Sequence, residues 1–161
     1  MVDKFDFGML LGLKRAVSLI DKVASFNDEY GQGAVHEFYI TYYGSLPASM
    51  GGSEQKAREH FARAVELSQG KTASPYVALA TSISVNNQDA DEFRDLLGKA
   101  LAIDVKERDA NRLVNIISRR KARWLLDHVD DYFLPAEPAT DTTATDTLET
   151  DPTAADTTIS E

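Results

Sequence analysis

The chain has 161 residues, 43% of them hydrophobic, with no cysteine and a formal charge of -9. That is one domain's worth of sequence with enough apolar residues for a core, and the missing cysteines exclude disulfides, thiolate metal sites and cysteine nucleophiles. The charge is unevenly spread: residues 135–161 hold seven of the 26 acidic residues and no Lys or Arg, which leaves the rest near neutral at -2, without a global field to attract nucleic acid.

The first twenty residues, MVDKFDFGMLLGLKRAVSLI, carry an apolar patch too short and too interrupted by Lys14 and Arg15 to span a bilayer. They also lack the charged start, apolar centre and small-residue cleavage site of a secretory signal. Periodicity and breakers predict six helices, near residues 8–26, 33–45, 53–69, 74–86, 89–103 and 109–133. Gly31 and Gly33 separate the first two, and Pro47 with Gly51 and Gly52 the second and third. Ser53 suits an N-cap and Gly70 the position just past a helix end. No stretch alternates long enough for a strand. In the third helix Ala57, Phe61 and Ala64 fall on one face, so a neighbour can approach at the alanines and lock around the phenylalanine. With Leu67 they are echoed by Phe93, Leu97, Ala100 and Ile103, the same spacing shifted by 36 residues. Residues 1–134 therefore read as one helical repeat-like domain. The Thr-rich acidic remainder, without aromatics or apolar period, is expected to be disordered.

Enzymatic readings fail residue by residue. His36-Glu37 could open a zinc-protease helix, but the second histidine would have to stand where Ile40 does. Gly70-Lys71-Thr72 imitates the end of a phosphate-binding loop, yet Val65 occupies the place of its first glycine. His60 and His128 lie on separate helices with no carboxylate and nucleophile nearby in sequence to suggest a triad. No cofactor or metal site is expected. In the basic run near residue 120, Arg112, Arg119 and Arg123 form a solvated stripe followed by Asp127, Asp130 and Asp131, which disfavours nucleic acid. Arg120 falls in phase with Leu113, Ile116, Ile117 and Trp124, so it is expected to turn inward and form a structural ion pair. The densest apolar segment holds Phe38, Tyr39, Tyr42, Tyr43, Leu46, Pro47 and Met50. Tyr42, Tyr43, Pro47 and Met50 with Gly51 and Gly52 are the candidate ligand- or partner-binding residues, the glycines letting backbone pass close to another surface. His36 and Tyr76 are candidates for polar contacts at the rim.

The segments GAVHEF, YYGSLPASMGG, AREHFARAVELS, PYVALATS, ALAID and RRKARWLLDHVDDYF, in that order across residues 12–134, resemble the T-component family of tripartite ATP-independent periplasmic (TRAP) transporters. The 36-residue echo is similar to the tetratricopeptide repeat, although Phe93 stands where that repeat has a small residue and Gln69 and Val105 where it closes on proline. The resemblance implies an all-α stack of antiparallel helix pairs and a non-enzymatic role. It further implies association with a periplasmic solute-binding protein, binding of a small apolar ligand, homotrimeric assembly and a periplasmic location. The family's lipoprotein signal and acylated cysteine are absent from this sequence, which keeps a cytoplasmic location open. A general tetratricopeptide-like interaction scaffold unconnected with transport is the alternative.

Overall fold

The computed structural model describes residues 7–106 and 110–134, and these are helical, with no strand among them. The acidic segment expected to be disordered lies outside the described residues. Six α-helices follow in order: α1 Phe7–Phe26, α2 Ala34–Ser45, α3 Glu54–Leu67, α4 Ser74–Leu79, α5 Ala90–Ala102 and α6 Arg112–Asp127. The expected breakers act where they should. The Ser53 side chain accepts the Lys56 N–H at the start of α3, and the Asp89 side chain accepts the Glu92 N–H at the start of α5. Gln69 and Gly70 both take left-handed backbone after α3, and the Gly70 N–H returns to the Val65 carbonyl. Two expected boundaries shift: the last helix ends at Asp127 and gives way to a 3-10 turn, Val129–Asp131, and α4 runs into a π-helical turn, Ala80–Ser84. There the Val85 N–H bonds the Ala80 carbonyl five residues back.

At the centre lies α4 with its π turn, packed against α2, α3, α5 and α6. Its buried residues are small or aliphatic: Ser74, Pro75, Val77, Leu79, Ala80, Ser82, Ile83 and Ser84. Hydroxyls in such a place need partners. Thr81 and Ser82 donate to the Val77 and Ala78 carbonyls, and Ser84 donates to Glu92. The Ala57, Phe61 and Ala64 face packs inward as expected, with both alanines buried and Phe61 half-buried. Of its echo on α5, Phe93, Leu97 and Ala100 are buried in the same core. Phe133 and Tyr132 fold back from the end of α6 to cover Phe93.

Helix α6 overturns one expectation. Arg120 is exposed and forms no ion pair among the described residues. Leu113, Ile117 and Trp124, which share its phase, are exposed as well, while the buried stripe is Asn115, Ser118, Ala122 and Leu125. The reason is distance: α6 comes close to α4 and α5, and three of the four residues that fit there are small or polar. Asn115 supplies the clasp. Its Oδ1 accepts the Ala73 N–H at 2.9 Å and its Nδ2 donates to the Lys71 carbonyl at 2.8 Å, which ties α6 to the α3–α4 link. Asn115→Leu keeps the volume but leaves the buried Ala73 N–H without an acceptor. It is expected to lower unfolding free energy by about 1–3 kcal/mol, read as a lower urea midpoint at unchanged slope.

Candidate functional site

The candidate residues divide between the two sides of α2. On one side, Phe38 and Tyr42 stack at 6.0 Å between ring centres. With Leu13 of α1 and Leu46 beyond the end of α2 they line a cleft of about 200 Å³. Volumes of about 300–1,000 Å³ are usual for drug-sized ligands. This cleft therefore has room for an alkyl or aromatic fragment, not for a whole molecule of that size.

The loop closing this cleft is held by its own backbone. The Met50 and Gly52 N–H groups both reach the Pro47 carbonyl, at 2.9 and 3.0 Å, and the Ser53 N–H bonds the Tyr43 carbonyl at 2.9 Å. Gly51 has φ of +97°, a left-handed conformation that side chains disfavour. A Cβ on Gly52 would collide with the Leu46 carbonyl. Both glycines thus have a role in closing the loop itself, beside the passage against another surface that the sequence suggests for them. What the loop presents outward is Pro47, Ala48, Ser49 and Met50, all exposed.

On the other side of α2, His36, Tyr39 and Tyr43 meet α3. Tyr39 and Tyr43 stack on the His60 ring, at 4.7 and 5.7 Å, and the Lys56 ammonium lies 5.1 Å from the centre of the Tyr43 ring. His36 and His60 share a hydrogen bond between their Nδ1 atoms at 2.8 Å. Surrounding charge selects the donor. If His60 donates, His36 carries its proton on Nε2, facing the Asp28 carboxylate at 4.0 Å; the reverse would aim a lone pair at that charge. Burial lowers the pKa of His36, Asp28 opposes that and Arg63 adds to it. Burial also lowers that of His60, with His36 the next contributor. Tyr39 donates to Asp21 of α1, and its burial, reinforced by that bond, pushes the phenol well above its usual range.

Two expected rim residues are therefore packing residues. His36 is buried in the α2–α3 contact. Tyr76 lies edge-on to Phe61 at 5.3 Å, away from the α1–α2 cleft. Tyr42 lines the α1–α2 cleft, and Pro47 and Met50 are exposed on the loop that follows α2. The residue that sequence reasoning missed is His60, dismissed for want of partners nearby in the chain. A signal existed: antiparallel helices joined by a loop centred near residue 48 pair positions equidistant from it, which places 60 opposite 36.

No group of three or more histidine, cysteine, aspartate or glutamate side chains suited to a metal occurs among the described residues. No helix among them is long and apolar enough to cross a membrane. A family model described as TRAP transporter T-component matches residues 1–133. The chain belongs to that family. The family is a transport component rather than an enzyme family, which agrees with the failed catalytic readings. This T-component is also 29% identical, over 119 residues, to an uncharacterized protein of Treponema pallidum (strain Nichols). The match covers 74% of the present chain and 37% of that relative, so the chain spans little more than a third of the relative's length.

The histidine pair makes stability depend on pH with a definite sign. Both folded-state pKa values lie below the unfolded value of 6.5, so the unfolded chain binds more protons just below that pH. Their contribution is complete above 6.5 and is lost as pH falls through the lowered values. Melting followed by circular dichroism should show Tm falling from pH 7.5 to 5.5 in this T-component. The double variant His36→Gln with His60→Gln should flatten that slope; an unchanged slope would show that the pair is not what titrates.

Proposed function

We propose that this protein acts as the non-enzymatic T-component of a periplasmic TRAP transport system and docks a solute-binding protein through the 46–52 loop. The observation that carries the reading is the loop itself. A turn closed by its own hydrogen bonds, with two glycines it cannot replace, holds Pro47 and the 40%-exposed Met50 outward beside an apolar cleft. Rigid presentation of apolar side chains suits a protein contact, because little ordering entropy remains to oppose binding. In this reading Tyr42 and the cleft behind it hold the apolar part of a ligand, and the contact with the solute-binding protein covers the cleft mouth.

The helix packing supports a tetratricopeptide-like stack. Helix α2 packs on α3 and α4 on α5, and the leading helices touch one another, α2 on α4 and α4 on α6. Self-association, as in a homotrimer, has a candidate surface on and just beyond α1, where Leu19, Val23, Phe26 and Tyr30 are exposed at helical spacing.

Met50→Asp tests the docking surface, since a charge there would have to be desolvated on binding. Retention on an immobilised solute-binding partner should fall at least about tenfold, a loss of about 1.4 kcal/mol, while circular dichroism stays as in the parent. Light scattering reports separately on self-assembly. Undiminished retention with unchanged helicity would remove the loop from the interface.

A further inference from the structure

Helix α6 carries Arg112, Arg119, Arg120, Lys121 and Arg123 against a single acidic residue, Asp127. Elsewhere in the body Arg58, Arg63 and Arg94 each hold a carboxylate. None of the five on α6 does so among the described residues, and the Arg119 Nε is buried without an acceptor. Arg119, Arg120 and Arg123 line a groove of about 450 Å³ together with Val105, Ile116 and the half-exposed Trp124, and one carboxylate, Asp127, stands at its edge against the three guanidinium groups. A surface that combines three guanidinium groups, none ion-paired among the described residues and outnumbering the single Asp127 carboxylate, with an indole and an aliphatic floor is matched to an acidic segment bearing occasional apolar residues.

We propose that the occupant is residues 135–161 of this same chain. Charge is the first argument: the segment has seven carboxylates and no basic residue, and Leu148 stands next to Glu149 as an apolar residue that could meet Trp124. Reach is the second. The described chain leaves the body at Leu134, whose N–H bonds Gln88, just after Tyr132 and Phe133 have folded back from the end of α6. From Asp127 to Arg119 along the helix is about 12 Å. Asp141 lies seven residues beyond Leu134, a span of up to about 23 Å, and Asp146 and Glu149 reach further. Tethering raises the local concentration of the acidic segment to the millimolar range, so weak individual contacts suffice. Contacts of this kind need no secondary structure in the acidic partner. The segment then competes with any other acidic surface for the α6 groove.

Trp124, the only tryptophan in the sequence, reports directly on this groove. In the full-length protein at fixed pH, acrylamide quenching of its emission is measured as NaCl rises from about 0.02 to about 0.5 M. Screening should release the segment and raise the quenching constant at least about 1.5-fold. A full-length variant with Asp141→Asn, Asp146→Asn and Glu149→Gln should start at the high value and lose the salt dependence. So should Arg120→Glu with Arg123→Glu, which alters exposed residues on the other side of the contact. Quenching indifferent to salt in the parent would overturn the proposal. Protection that grows with protein concentration and survives neutralisation of the acidic segment would overturn it too, by assigning the groove to a second copy.

Discussion

A helix packed against four others has little solvent face on which to put its polar groups, and α4 meets that condition with small residues whose hydroxyls find partners within the protein. Because Ser82 and Ala80 are small, α2 can approach until Gly44 touches Ser82, where even a Cβ would sit 2.6 Å from the Ser82 Oγ. The same economy of bulk recurs at Gly33, whose missing Cβ would stand 3.1 Å from the Ala64 Cα. Close approach at these points places the two histidine rings in contact and stacks Tyr39 and Tyr43 over His60. It also fixes the end of α2 from which the 46–52 loop departs. Tight helix contacts therefore position both the aromatic cluster and the exposed methionine.

Much of this was legible from the chain alone. The glycine pairs as helix breakers, the Ser53 cap and the small-large-small spacing at Ala57, Phe61 and Ala64 are local signals, each read correctly because the physics behind them acts within a few residues. The core echo at Phe93, Leu97 and Ala100 was legible for the same reason, since helical phase alone brings these residues to one side. The family resemblance rested on ordered segments across the chain and agrees with the family match over residues 1–133.

What was not legible involves choice between faces. Apolar periodicity assigned Leu113, Ile117 and Trp124 to the core of α6, carrying Arg120 with them, because bulk and hydrophobicity usually travel together. They part here: the inner stripe is chosen for closeness, and Asn115 is buried because the α3–α4 link presents an N–H and a carbonyl to it. Nothing near Asn115 in sequence announces that need. The binding-site candidates suffered similarly. His36 and Tyr76 look polar enough for a rim, yet each lies against an aromatic ring of α3, His60 in one case and Phe61 in the other. Gly52 is demanded by a carbonyl six residues away.

The π turn at Ala80–Ser84 amounts to a helix holding one residue more than its hydrogen-bond ladder can count. Such a surplus turns everything after it by about 100° relative to an unbroken α-helix. In this chain that rotation points the Ser84 hydroxyl at Glu92, 2.7 Å away, and Glu92 in turn holds Arg58 of α3. A single extra residue in the innermost helix thereby sets the azimuth at which α5 joins α3. Gain or loss of one codon in this segment would carry the Ser84 hydroxyl around the helix and away from Glu92, and so change the angle at which α5 meets α3.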